Sequence, residues 1–269
     1  MLGGSPSRYA KGTTVFENLA SQERIDLAKT RMTKVVDHFL YLIELHANNS
    51  YAVYSPALSS QIPKSYAANA FFVFQRSMYQ SEIIRLCALW DRAEPEKENI
   101  TSVIELIDNE TIIRMLAANA ALPWTTGNPG HIAVINPTGD PQRDAKIMEA
   151  ARESDEEFGI QASKRADWEL RHTIAAARKI LQSEQLRSLM NARDKHIAHS
   201  LTETRRERHG PIAPIKIGDE TDLFERSIPI VERLYCWVNG TSLSIRESQR
   251  IDQDNAEALW KGCTFSVLR

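Results

Sequence analysis

Residues 21–46 read SQERIDLAKTRMTKVVDHFLYLIELH and place apolar side chains at intervals of three and four residues. This spacing follows one face of an α-helix, because about 3.6 residues complete each turn. Ser21 is a candidate cap and Glu23 lies in the first turn, which favours a helix start here. We therefore expect a long amphipathic helix that ends in the segment Asn48-Asn49-Ser50. Its apolar positions are Ile25, Ala28, Met32, Val35, Phe39 and Ile43.

A second long helix is predicted from about Ser65 to Arg92, ended by Pro95. Its apolar stripe is interrupted midway by Glu82 and Arg85, which form either a surface pair or part of an inner polar cleft. The stripe consists of Ala67, Phe71, Phe74, Met78, Leu86, Leu89 and Trp90. Further helical stretches are expected over 101–120, 143–158, 162–181, 221–239 and 253–261. The pattern predicts an all-α bundle with two long core helices.

Three segments interrupt this helical pattern. Residues 1–20 are rich in Gly, Ser and Thr and are expected to be a flexible lead-in to a single domain over 21–269. Residues 122–142 hold four prolines and three glycines, which predicts a long loop or insertion. Residues 205–218 hold isoleucines between Gly and Pro, which is typical of a small hairpin or an extended loop.

The composition narrows the possible functions. The chain has 269 residues and a formal net charge of −2, which disfavours a protein that coats nucleic acid through bulk charge. Its three cysteines are widely spaced, so no disulfide framework or CxxC zinc pair is predicted and a cytoplasmic location is expected. No membrane span, phosphate-binding glycine loop, GxSxG or HExxH motif occurs in the sequence.

The segment Arg193-Asp194-Lys195-His196-Ile197-Ala198-His199-Ser200 contains the clearest candidate chemistry. In an α-helix, Arg193, His196 and His199 would share one broad side. An imidazole can take or give a proton near neutral pH, and a guanidinium binds phosphate oxygens through a planar fork of donors. These residue types together indicate phosphodiester chemistry.

The spacing from Arg193 to His199 resembles the R-x(4–6)-H motif of HEPN domains, which are all-α proteins that include many ribonucleases. The form RDKxIAH, which follows a long helix ending in Leu89-Trp90-Asp91, is similar to the AbiU-type abortive-infection branch. The resemblance extends from about Tyr66 to Leu201. It implies a HEPN-like helical bundle.

The resemblance also implies roles for individual residues. Arg193 would hold the scissile phosphate, Asp194 would orient the arginine or a histidine, and His199 would be the general acid and base. The RNA's own 2′-hydroxyl would attack the adjacent phosphate, with neither metal nor cofactor. The implied partners are RNA, a second copy of the chain and an antitoxin, with no membrane.

Several alternatives stay open from the sequence. His196 could replace His199 as the proton carrier, or could bind RNA together with Arg205 and Arg206. His196 and His199 could also form half of a metal site with His209 or Glu203. The motif could be an ordinary polar helix end, or the domain could bind a nucleotide, RNA or a protein without catalysis. The tryptophans, including Trp168, are expected in the core.

Overall fold

The computed structural model describes residues 15–125 and 138–267, and in these ranges it contains nine α-helices and no β-strand. The predicted all-α class is confirmed. No helix in these ranges is long and apolar enough to cross a membrane. The helices are α1 (Ser21–Ala52), α2 (Pro56–Ser59), α3 (Tyr66–Leu89), α4 (Ile100–Ile107), α5 (Glu110–Thr125), α6 (Pro141–Leu181), α7 (Glu184–Ala192), α8 (Asp219–Asn239) and α9 (Ile245–Gly262).

Helix α1 is the centre of the hydrophobic core and packs against α3, α4, α8 and α9. All six positions of its predicted stripe are buried. The helix continues to Ala52, beyond the expected end, because the side chains of Asn48 and Ser50 donate hydrogen bonds back to helix carbonyls. These bonds reach Glu44 at 2.8 Å and Ala47 at 2.7 Å. The polar residues that were expected to stop α1 therefore continue it.

Helix α3 is buried only in its second half. Ile83 and Leu86 are fully buried there, whereas Phe72 and Phe74 in the first half are 62% and 42% exposed. The Gln75 amide donates to the carbonyl of Ala52 at 2.7 Å, so the residues of α3 before Gln75 extend past the end of α1. That half has less core to pack against. The prediction that the whole stripe of α3 is buried was wrong for this half.

Helices α5 and α6 pack along each other, and α6 is one helix of 41 residues rather than the expected two. Gly159 lies where a break was expected, but a Cβ there would be 3.2 Å from Thr125 Cγ2. The glycine thus permits a close approach of the two helices. Because α5 ends at Thr125 and α6 begins at Pro141, the predicted insertion over 122–142 was too wide at both ends. Residues 126–137 lie outside the described residues.

Two other predicted segments also differ in the structure. Most of the expected lead-in, residues 1–14, lies outside the described residues. Phe16 is buried, and the guanidinium of Arg31 lies 4.8 Å from its ring centroid, so the end of the lead-in is packed against α1. The hairpin suggested for 205–218 was wrong, because this segment forms a 3-10 turn at Glu207–His209 and otherwise irregular chain.

The predicted core positions of the tryptophans are only partly correct. Trp90 is fully buried, and its indole N–H donates to Ser227 Oγ at 2.9 Å. Trp168 is 57% exposed, and its ring contacts the ring of His172 at the surface of α6 with centroids 3.9 Å apart. Helical spacing alone did not distinguish these two positions, because the packing of other helices decides which tryptophan is covered.

Candidate functional site

The motif residues lie on a π-helical turn, Arg193–Ile197, that continues α7 without a break. The N–H of Ala198 donates to the carbonyl of Arg193 at 2.8 Å, five residues back instead of four. The wider turn changes the angular positions expected for an α-helix and ends the helix before His199. Such turns are rare in proteins, and those that do occur often lie at functional sites.

Arg193 is held between two carboxylates. Its side chain is 16% exposed, and its Nε and Nη2 lie 2.8 and 2.6 Å from Asp194 Oδ1. Its Nη1 lies 3.9 Å from Oδ2 of Asp91, at the end of α3. Burial lowers the pKa of Arg193, but the bond and charge of Asp194 outweigh it and the pKa is raised overall. The guanidinium is therefore a fixed positive charge in a fixed orientation.

Asp91 is itself held in place. Lys97 Nζ lies 2.9 Å from its Oδ2, and the Asn99 amide donates to its backbone carbonyl at 3.0 Å. Burial favours a higher pKa for Asp91, but the hydrogen bond from Lys97 lowers it below its ordinary value. The anion behind Arg193 thus stays ionised at neutral pH.

Asp194 joins two arginines. Its Oδ1 accepts from Arg193, and its Oδ2 accepts from Nη1 of Arg206 in the loop beyond the motif. This contact agrees with the orienting role that the resemblance implies for Asp194. Arg206, which was predicted to bind RNA, is engaged with Asp194 and is less free than the sequence suggested. Arg205 is exposed and has no ion pair with any residue in the described ranges.

The two histidines of the motif are exposed. Neither His196 nor His199 has a hydrogen bond or an ion pair with any other residue that the structure describes. His196 lies on the π-helical turn, and His199 lies just after it. The chain thus joins Arg193, Asp194 and Arg206 directly, and leaves both imidazoles facing solvent. The described ranges contain no cluster of three or more residues able to hold a metal ion, so the metal alternative gains no support.

Glu207 fastens the loop after the motif to the motif itself. Its carboxylate accepts from Lys195 Nζ at 2.8 Å, from the Asn191 amide at 3.1 Å and from the backbone N–H of Thr204 at 2.9 Å. These bonds, led by the one from Lys195, lower the pKa of Glu207 to about 2. The carboxylate thus holds the start of the loop, at Thr204 and Glu207, beside the π-helical turn.

Sequence reasoning missed Asn191, Thr204 and Glu207 as parts of the site. Glu207 lies inside the basic run Arg205-Arg206-Glu207-Arg208, where nothing in the local sequence marks it as a partner of Lys195. Its separation of twelve residues from Lys195 matches no helical period. Cys87 lies beneath the motif turn, and burial raises the pKa of its thiol to about 12.

A second polar cluster lies where α1 meets α3. The fully buried Glu82 carboxylate is 2.6 Å from His46 Nδ1, and it also accepts from the Asn49 amide and from the Tyr54 hydroxyl at 3.0 Å. Arg85, the residue considered as its partner, is exposed, and its guanidinium lies 4.1 Å from the Tyr41 ring centroid. The expected pair of Glu82 and Arg85 does not form.

These features define an all-α domain whose π-helical turn carries Arg193 and Asp194 and is followed by His199, which is the spacing of the HEPN motif. The HEPN family model AbiU2 matches residues 31–259, and the chain belongs to this abortive-infection family. No curated protein and no solved structure matches the chain significantly. The family match confirms the resemblance and extends it from α1 into α9.

Proposed function

We propose that this protein is a metal-independent endoribonuclease that acts as a toxin-like effector of anti-phage defence. The observation that supports this most strongly is Arg193, a half-buried guanidinium held by Asp194 and Asp91 on the motif turn. Arginine has five N–H donors, and Asp194 engages those on Nε and Nη2, whereas Nη1 lies 3.9 Å from Asp91, beyond hydrogen-bond distance. The donors on Nη1 are proposed to bind phosphate oxygens.

The reaction follows from the chemistry of RNA. The 2′-oxygen forms a bond to the adjacent phosphorus, the bond from phosphorus to the 5′-oxygen breaks, and a cyclic phosphate and a 5′-hydroxyl result. One imidazole removes the 2′-hydroxyl proton and another protonates the leaving oxygen. His199 supplies these imidazoles, and Arg193 stabilises the charge that develops on the phosphate. His196 and Arg205 hold the RNA backbone.

A shared cleft would supply both imidazoles. Two copies of the chain are proposed to pair so that both motif turns face one groove, which gives one histidine for each proton transfer. An antitoxin is the proposed partner that restrains the enzyme. Membership of the AbiU2 family supports the defence role.

The test uses the purified full chain and a labelled single-stranded RNA in excess EDTA. We expect wild type to cut the RNA and to leave cyclic phosphate ends, which mass spectrometry identifies. Arg193→Ala and His199→Ala should each lose about 100-fold or more in rate. His209→Ala is the matched control, because His209 is also exposed and lies outside the motif. Its rate should equal that of wild type.

Intact RNA with wild type, or equal rates for all four proteins, would reject the catalytic role. RNA that binds wild type but is never cut would instead support the alternative of a non-catalytic module. Arg193→Lys adds a check on geometry, since lysine keeps the charge and loses the planar fork. Its rate should stay well below that of wild type.

A further inference from the structure

A groove of about 470 Å³ lies between the first half of α3 and the motif turn. Phe72, Arg76 and Tyr79 line it from α3, and His196 and Ile197 line it from the motif turn. Its volume is within the range of small-molecule sites in proteins. The groove borders the motif turn, because His196 and Ile197 of the π-helical turn form part of its wall.

The aromatic side of this groove is rigid. The Tyr79 hydroxyl lies 3.3 Å from the buried carboxylate of Glu220, and the Tyr54 ring meets the Tyr79 ring edge-on with centroids 6.4 Å apart. Tyr54 in turn donates to Glu82, in the cluster between α1 and α3. Burial raises the pKa of both phenols above their ordinary value, so both remain hydrogen-bond donors. The ring of Tyr79 is thus held in position before any ligand arrives.

The rim of the groove combines exposed aromatic surface with positive charge. Phe72 is 62% exposed, although it borders the groove. Arg76 and His196 have no acidic partner among the residues that the structure describes, whereas Arg206 and Lys195 nearby are both paired. Aromatic faces beside the unpaired guanidinium of Arg76 suit a ligand that is flat and apolar on its faces and anionic at its edge. An unstacked nucleotide has this character.

We propose that this groove binds an unpaired nucleobase of single-stranded RNA, with the base against Phe72 and Tyr79 and a neighbouring phosphate at Arg76. The inference rests on the proposed function, because it assigns a place to the RNA that the motif cuts. The proposal therefore predicts single-stranded RNA as the substrate class, because a base inside a duplex would have to lose its pairing and stacking free energy to enter the groove.

The test measures binding to the full chain in the His199→Ala background, so that no RNA is cut. Fluorescence anisotropy compares a labelled single-stranded oligoribonucleotide with an abasic ribose phosphate chain of the same length. The oligoribonucleotide should bind at least about fivefold more tightly, which corresponds to the weaker end of base stacking on an aromatic ring. Phe72→Ala should erase this preference. Arg76→Ala should weaken both ligands equally.

Val73→Ala is the matched control, because Val73 is the adjacent residue, is also 62% exposed and does not line the groove. It should keep the full preference. A preference that survives Phe72→Ala, or a change of oligomeric mass in that variant, would overturn the proposal, and the latter would indicate an interface between copies. If wild type cuts RNA and Phe72→Ala has an unchanged KM, only the groove fails. If RNA binds with the expected preference and is never cut, only the catalytic role fails.

Discussion

Asp194 is the residue on which the geometry of the site depends. It accepts from Arg193 with one oxygen and from Arg206 with the other, so it ties the motif turn to the following loop. The identity of the motif residues was readable from the sequence. The contact of Asp194 with the second arginine was not, because Arg206 lies twelve positions further along an irregular loop. A single carboxylate therefore links two segments that local spacing does not relate.

The first prediction concerns this carboxylate. Asp194→Asn keeps the shape of the side chain and removes its charge, so Arg193 keeps its own charge and loses its anchored orientation. We expect kcat/KM for RNA to fall by about tenfold to a hundredfold, the scale of a small misplacement of a catalytic group. Asp222→Asn is the control, because Asp222 pairs with Arg226 on the exposed face of α8. Equal rates for the two variants would contradict an orienting role.

The second prediction concerns Glu207 and pH. Its pKa is lowered to about 2 from an ordinary 4.5, chiefly by the hydrogen bond from Lys195. A lowered pKa means that the ionised carboxylate stabilises the fold above about pH 4.5, and that this contribution is lost as pH falls toward 2. Glu207→Gln should therefore lower the free energy of unfolding at pH 7, and the difference from wild type should narrow below pH 4.5.

Urea unfolding at several pH values measures this difference. Glu203→Gln is the control, because Glu203 is 55% exposed and meets only Arg208, at 3.4 Å. It should unfold like wild type across the range. A deficit of Glu207→Gln that stays constant down to pH 3 would contradict the assigned cause.

At the scale of elements, the starts of several helices followed from local patterns, but their lengths were predicted less well, since α9 begins at Ile245 instead of near 253 and α6 is one helix instead of two. Ser65, Asn99, Asp140 and Ser183 cap α3, α4, α6 and α7, as their residue types favour. The errors have particular causes. A break between two helices was expected in the stretch that contains Gly159. The glycine instead allows α5 to approach α6, and this contact with a helix distant in sequence is not visible in a local pattern. The π-helical turn has no pattern of its own in a single sequence.

The third prediction tests the joint between α1 and α3. Glu82→Leu removes the acceptor shared by His46, Asn49 and Tyr54, of which Asn49 is fully buried. We expect the free energy of unfolding to fall by about 3 kcal/mol, as for other buried polar networks that lose one member. Glu44→Gln, at an exposed position of α1, should stay within about 0.5 kcal/mol of wild type. Denaturant unfolding measures the free energy of unfolding of both variants, and equal values would contradict the role of Glu82.

At the scale of the whole molecule, the charges are nearly balanced. The net charge is −2, and several arginines pair with a carboxylate on the same helix, such as Arg250 with Asp254 on α9. Arg76 and Arg205 near the motif have no acidic partner within the described ranges, and the same is true of Arg187 on α7. The proposed RNA site is therefore defined by its particular side chains and not by an excess of positive charge.

The fourth prediction concerns assembly. Sedimentation equilibrium should give a mass about twice the 30.5 kDa of one chain, because the proposed cleft needs two motif turns. Co-expressed Arg193→Ala and His199→Ala chains should form mixed pairs whose cleft keeps one arginine and one histidine. The mixture should then cut RNA faster than either variant alone. A monomeric mass for active wild type would contradict the shared cleft.

The amino-acid sequence by itself predicted most of the helices and the buried face of α1, because a periodic pattern records spacing within one helix. It also offered Arg193, Asp194 and His199 as motif residues, through their resemblance to a known motif and not through a helical period. Only the tertiary structure decided that Asp194 holds Arg206, that Glu207 fastens the loop, that Glu82 meets α1 instead of Arg85, and that a groove opens beside His196. Those contacts join residues far apart along the chain, and their formation depends on how whole helices pack, a property that local periodicity does not contain.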